Sequence, residues 1–379
     1  MKRSFFGTVL IGLGVLFIVF AVGLPLFVAP AVTKLPYDMQ PCPKPPAEQP
    51  SGCLKPSVAE AAGAKFLQIK ESADGVDISV NTATLRTTVE VLPQAKVTFD
   101  EQQAGRLTDD SIVWDVYQTV VRTDTGEVIS ASSTELALDR VSGAGVNWRG
   151  QWLNDSGERD SSVAYSDQIY KFPFGTEQRD YKIYDTDIRA ALPATYVDST
   201  EIEGVEVYHF KQTVPDTQVA VPTASLNVLL ARFAPQATHA QVFYRNTREV
   251  WVEPTTGAYI KVREQPHQEL RPNVGSPTVL LDADFSYTDD TVKNSAANAS
   301  SNRFLLKTVS LYAPIGLGIL GLALIVGGVL LTRGRATPRS EFDEADAGSP
   351  DWDATLPPGR HDLRQAGTVP AGWGTQSDP

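Results

Sequence analysis

Ser111-Ile-Val-Trp-Asp-Val-Tyr-Gln-Thr-Val-Val-Arg122, Asp124-Thr-Gly126 and Val128-Ile-Ser-Ala-Ser-Ser-Thr-Glu-Leu-Ala-Leu-Asp139 form the stretch that decides the fold. Two β-prone runs around a short Asp-Thr-Gly turn are a hairpin signal. The same texture extends in both directions. Val76-Asp-Ile-Ser-Val80 alternates, and residues 84–91 are rich in Thr and Val and stop at Pro93. Further strands are predicted at 195–199, 205–214, 241–252, 258–264 and 278–287. Glu203-Gly204 marks one turn. Glu253-Pro-Thr-Thr-Gly257 marks another, since an early Pro and a closing Gly suit a tight connection. Only 57–64 and 225–233 read as helical here, and no fixed repeat period appears.

Many strands with hairpin turns imply an antiparallel sheet. In Glu206-Val-Tyr-His-Phe210, Val207 and His209 face one way and Tyr208 and Phe210 the other. A strand apolar on both faces is covered on both, by a double-layer core or by an interior cavity. The expected class is therefore mainly β: a large antiparallel β-rich extracytoplasmic domain (meander, sandwich or barrel-like) between two terminal transmembrane helices.

The helices are read from two uncharged runs, 5–28 and 308–332. About 20 apolar residues cross a hydrocarbon core roughly 30 Å thick. Lys2 and Arg3 precede the first run; Arg333, Arg335 and Arg339 follow the second. Basic flanks mark the cytoplasmic side, so both termini are expected in the cytoplasm and the middle outside, at the plasma membrane. The first run competes with a cleaved signal peptide, because Ala29-Pro-Ala31 resembles a cleavage site; its length favours an anchor. The layout expected is a cytoplasmic end at 1–4, a span at 5–30, a Pro-rich stalk at 31–64, the β-rich domain at 65–290, a polar linker at 291–307, a span at 308–332 and an acidic, disordered cytoplasmic tail at 333–379.

Cys42 and Cys53 are the two cysteines, and both fall in the exported part. An oxidising compartment favours a disulfide between them; a metal site would need more ligands, and no His lies nearby. The net charge of −12 argues against nucleic acid as a partner. His209, His239, His267 and His361 share no metal-ligand spacing, and HExxH, GxSxG and P-loop motifs are missing. No enzyme, metal or cofactor is expected, and His209 reads as a structural, hydrogen-bonded residue. Adjacent carboxylates such as Asp109-Asp110 and Asp289-Asp290 sit in apparent loops and read as solvated.

Tyr170-Lys-Phe-Pro-Phe-Gly-Thr-Glu-Gln-Arg-Asp-Tyr-Lys-Ile-Tyr184 is the most distinctive segment, with five aromatics beside Pro173 and Gly175. It reads either as a loop gating a cavity or touching lipid, or as a plug covering a sheet end. Candidate ligand-contacting residues are Tyr170, Phe172, Phe174, Tyr181 and Tyr184, with Tyr208, Phe210 and Trp251 as further lining.

Met1-Lys-Arg-Ser-Phe-Phe-Gly-Thr-Val-Leu-Ile-Gly-Leu-Gly14, Pro25-Leu-Phe-Val-Ala-Pro30, Tyr170-Lys-Phe-Pro-Phe-Gly-Thr-Glu177 and Val250-Trp-Val-Glu-Pro-Thr-Thr-Gly257 resemble the actinobacterial envelope proteins of the porin PorA family. The resemblance covers most of the chain up to the second span. It implies a cell-envelope membrane protein with no catalytic residues to transfer. Charges on many strands speak against a lipid-facing β-barrel pore. Two terminal helices around a β-rich domain also resemble, in architecture alone, scavenger receptors of the CD-thirty-six type, whose ectodomain holds a lipid tunnel.

The expected function is non-enzymatic: an exported domain that binds or transfers lipid or another apolar envelope ligand. The alternatives are a structural scaffold of an envelope complex and the porin or channel activity the family name implies. Expected partners are membrane lipids, envelope proteins, and a cytoplasmic protein for the acidic tail, with Trp352 and Trp373 as anchors.

Overall fold

A computed structural model describes residues 2–43, 53–72, 75–155 and 157–333. The interior of the cysteine loop (44–52) and the acidic tail with Trp352 and Trp373 lie outside the described residues.

Fifteen strands follow one another along the chain: β1 (Ser57–Ser72), β2 (Gly75–Pro93), β3 (Ser111–Arg122), β4 (Val128–Asp139), β5 (Ala144–Val146), β6 (Trp152–Asn154), β7 (Asp167–Gln168), β8 (Tyr181–Asp185), β9 (Ala190–Ile202), β10 (Val205–Val219), β11 (Ala240–Glu253), β12 (Ala258–Glu264), β13 (His267–Pro272), β14 (Thr278–Asp282) and β15 (Phe285–Tyr287). The β3–β4 hairpin pairs over its full length, from Ser111 opposite Asp139 to Val121 opposite Val128. The β9–β10 turn places Glu203 at φ 50° and Gly204 at φ 75°, two successive left-handed residues that match the twist of a hairpin.

The sheet closes on itself. β10 pairs with β9 on one edge and β11 on the other, and the path through β13, β14 and β1 to β4, then β5, β7 and β8, returns to β9 as a ring of 12 strands. Both β12 and β13 run along the same edge of β11, so they act as one interrupted strand. β14 and β15 lie beside them in the same way and complete the ring to β1. All pairings are antiparallel except β7 with β8. Closure removes the exposed edges that an open sheet would present. On β11 the buried positions Val242, Tyr244, Asn246, Val250 and Val252 alternate with exposed Gln241 and Arg245, which gives the wall an inner and an outer face.

This corrects the expected class. The β region is not a separate extracytoplasmic domain slung between two helices, but a closed barrel that shares one compact unit, residues 1–332, with them. The physical reason lies in residues 291–307, expected as a linker. They belong to a helix, Asp289–Lys307, capped by the Thr288 side chain, which accepts from the Thr291 amide at 3.3 Å. Its Ala296 and Ala299 pack onto Val205, Val207 and Ile260 of the barrel wall. Small alanines let a polar-looking helix lie flat against a sheet, and the sequence reading saw only the polarity. The stalk is corrected as well. Leu35 is buried and exchanges hydrogen bonds with Arg140, while the Tyr37 hydroxyl donates to the Asp109 carbonyl, so residues 33–43 are strapped along the barrel. Residues 57–64, expected as helix, begin β1.

Two helical stretches are long and apolar enough to cross a membrane: residues 5–32, and the apolar part of 289–333. Each has a π-helical turn, at Leu24–Val28 and Thr308–Tyr312, with Pro25 within the first and Pro314 just after the second. Proline lacks the amide that would continue the α pattern. The helices pack in opposite directions on glycine. A Cβ on Gly14 would stand 2.6 Å from the Gly321 carbonyl oxygen, and one on Gly7 2.8 Å from that of Gly328. Their other faces expose Phe5, Val9, Leu13, Ile319, Leu322 and Leu330.

Candidate functional site

The barrel encloses a lumen of about 1580 Å³. Its wall is mainly apolar, built from Phe66, Leu85, Val116, Leu153, Val250 and Phe285. Leu54, Pro56 and Cys42 border one side, where the Cys42–Cys53 disulfide (Cα–Cα 4.8 Å) closes its loop. Helix Thr223–Phe233 borders another, with Leu229 and Leu230 packed on Leu67, Val242, Leu270 and Leu280. The outer wall has the opposite chemistry, with Glu201, Glu206, Lys211 and Asp216 exposed on β9 and β10. Lipid-facing barrels present apolar residues outward and polar ones inward. Here the polarity is reversed.

Charged residues interrupt the apolar lining: Lys55, Glu90, Asp155 and Arg189, and a cluster around Arg248. Arg248 of β11 binds Glu264 (2.5 Å), the Gln212 side-chain oxygen (3.0 Å) and Asp185 (3.4 Å). Burial works against its charge, but Glu264 and Asp185 more than offset this and hold the guanidinium protonated. The Tyr244 hydroxyl donates to Asp185 at 3.3 Å. Asp187 keeps accessible surface and borders the lumen. Burial, and then the charges of Asp185 and Glu264, push its carboxyl up to about 7.

Four lining side chains carry polar atoms with no hydrogen-bond partner among the described residues: Trp114 Nε1, Tyr184 Oη, Tyr259 Oη and Thr87 Oγ1. Trp114 is 6% exposed and Tyr184 2%. Burial raises both phenols, so they remain protonated donors. A buried donor left without an acceptor costs about 1–3 kcal/mol.

The aromatic segment and the second signature turn meet beside the lumen as a plug. The amide of Phe172 donates to the Gly257 carbonyl (2.9 Å), that of Gly175 to Thr255 (3.2 Å) and that of Thr176 to Pro254 (2.7 Å). Gly257 sits at φ +70°, and a Cβ there would meet the Phe172 carbonyl oxygen at 2.0 Å. Buried Glu253 accepts from the Thr255 amide and from the amide and hydroxyl of Thr256. Buried Lys171 donates to the carbonyls of Phe172 and Thr256 and lies 3.7 Å over the Phe174 ring. Burial pushes its amine down to about 7, with Glu253 opposing the shift.

The eight candidate residues therefore separate. Tyr170 and Tyr184 line the lumen. Phe172, Tyr181 and Phe210 form the plug's core with Val250 and Val252, and their rings pack at 4.8–5.6 Å. Phe174 and Tyr208 border a smaller crevice of about 580 Å³ beside Ala29, Val32 and Leu306 of the helices. Trp251 stacks on His209 at 4.5 Å and joins the cluster beneath the 289–307 helix. The sequence reading missed Trp114, Asp187, Arg248, Tyr259 and Glu264. A signal was present: Tyr244, Asn246, Arg248 and Val250 share one phase of β11, which puts a charge on an otherwise inward face. Among the described residues, no group of three or more His, Cys, Asp or Glu is placed to hold a metal ion.

Comparison with known proteins gives two findings. A family model described as Porin PorA matches residues 6–330. A curated relative named "Porin PorA", from Corynebacterium resistens, is 31% identical over 229 residues. That match covers 56% of this chain and 53% of the relative, so the chain spans about half the length of the relative it matches.

Proposed function

Because the chain belongs to the Porin PorA family, we propose that its barrel is a conduit of the cell envelope whose lumen takes apolar molecules. Membership makes it an envelope membrane protein and points to a non-enzymatic role. The observation that carries the reading is the closed ring of strands around a lumen of about 1580 Å³. A closed barrel fits the passage role that the family's name implies, and its lining indicates the class of cargo. An apolar wall holds water and ions poorly, whereas each methylene it buries contributes about 0.8 kcal/mol.

The charged outer wall supports a barrel that stands clear of hydrocarbon, with the apolar helices as the membrane-crossing part. The glycine contacts of Gly7 and Gly14 with the second helix support a retained anchor over a cleaved leader. The basic residues at both outer ends support cytoplasmic termini. The crevice between helices and plug lies where cargo leaving the membrane would first meet the barrel.

Reconstitution tests this reading. Full-length protein in liposomes is expected to accelerate transfer of a pyrene-labelled lipid to acceptor vesicles, with no steady ion current in planar bilayers. Steady ion conductance without probe transfer would identify an aqueous pore and overturn the apolar conduit.

A further inference from the structure

We propose that the lumen selects amphiphiles whose heads are uncharged and rich in oxygen, and rejects anionic heads. The proposal rests on the conduit reading and specifies its cargo.

The donors point to the first half. Trp114 Nε1 and Tyr184 Oη are held at more than nine-tenths burial in the wall without an acceptor among the described residues, and Tyr259 Oη adds a third on another strand. These atoms are occluded in the ligand-free barrel, so a small shift of their side chains would let ester, ether or hydroxyl oxygens of a bound head reach and satisfy them. A purely hydrocarbon cargo would leave them as they are, and so would an amine head, which has no oxygen to offer.

The charges point to the second half. Every basic group bordering the lumen is engaged. Arg248 is held by Glu264 and Asp185. Arg189 is held by Asp160, with Asp155 at 3.9 Å. Lys55, at the rim, donates to Asn294 at 3.0 Å. Asp187 adds a carboxyl to the lining, with the Gln268 amide at 3.5 Å and the Tyr244 hydroxyl as its neighbouring donors. A phosphate or carboxylate entering this space finds both lining arginines already paired with carboxylates, with Lys55 at the rim held by a neutral amide, and meets the like charge of Asp187 in a medium that screens poorly. A hydroxyl finds acceptors at Asp187 and donors at the aromatic wall.

The test uses full-length protein in nanodiscs holding equal mole fractions of a diazirine-bearing monoacylglycerol and the matching diazirine-bearing fatty acid at pH 8. After irradiation, labelled peptides are quantified by mass spectrometry. Peptides carrying Trp114, Tyr184 and Tyr259 are expected to bear monoacylglycerol over fatty acid by about tenfold. Asp187→Asn, which removes the carboxyl and keeps the shape, is expected to narrow the preference to about threefold or less. Equal or greater labelling by the fatty acid, or a preference that Asp187→Asn leaves intact, overturns the head-group rule. Labelling confined to the membrane helices by both probes overturns the conduit reading instead.

Discussion

The plug and the lumen are neighbours built from the same kinds of residue, and they are finished differently. Both are rich in aromatics, and they share Val250, Tyr259 and Val262 at their boundary. In the plug, polar groups find partners: the Lys171 amine reaches two carbonyls, Glu253 receives three donors, and the two signature turns exchange backbone hydrogen bonds. In the lumen, Trp114, Tyr184 and Tyr259 keep polar atoms without partners among the described residues, and Asp187 adds a carboxyl to the lining. Aromatic content alone does not separate a binding wall from a structural clasp. The state of the hydrogen bonds does.

The comparison can be broken from the plug side with the largest effect. Gly257→Ala combines a left-handed backbone with a steric conflict against the Phe172 carbonyl. A loss of about 3–5 kcal/mol is expected, read as a fall in the denaturation midpoint of the purified protein. A change under about 1 kcal/mol would mean that the two turns do not hold each other.

Next comes the titration of Lys171. Its folded pKa lies at about 7 against an ordinary 10.5, lowered by burial. Between those values the unfolded chain binds a proton that the folded one does not, so this group makes stability rise with pH across that window. Below about 7 both states are protonated and the burial penalty is constant. Lys171→Met is expected to flatten the rise in thermal midpoint between pH 7 and 10; an unchanged slope would assign it to other groups.

At the rim of the lumen, replacing Cys42 and Cys53 together with serine opens a loop of sequence separation 11. A cost of roughly 2–3 kcal/mol is expected from the released loop entropy, measurable by thermal unfolding with and without reductant. The smallest effect belongs to the lumen wall. Trp114→Phe removes an unpartnered donor, so stability of ligand-free protein should change by less than about 1 kcal/mol and tend upward. A large loss would show that the indole nitrogen has a structural partner after all.

Much of the wall was legible in the sequence. The β3–β4 hairpin could be read from Ser111 to Asp139, the β9–β10 turn from Glu203-Gly204, and a short helix at 225–233, which the structure begins at Thr223. Closure was not legible, because it depends on β1 meeting β14 and β15 across more than 200 residues of chain. No local pattern encodes such pairings. The helix over 289–307 was hidden by its own composition, since Asn, Ser and Ala look like a linker until Ala296 and Ala299 are seen against the barrel. The residues of the aromatic segment divide among lumen, plug and crevice, since a loop with Pro173 and Gly175 follows no period. The charged lumen group escaped because Arg248 and Glu264 sit in strands where charge reads as solvent-facing.

The most direct test of the contrast is a cryo-electron microscopy map of the full-length protein in lipid nanodiscs, at a resolution that shows side chains. The account predicts non-protein density inside the ring of strands, in contact with Trp114, Tyr184 and Tyr259, and a closed clasp between residues 170–177 and 250–257 with no such density. A lumen filled by collapsed protein side chains, or a clasp held open around a bound molecule, would contradict it.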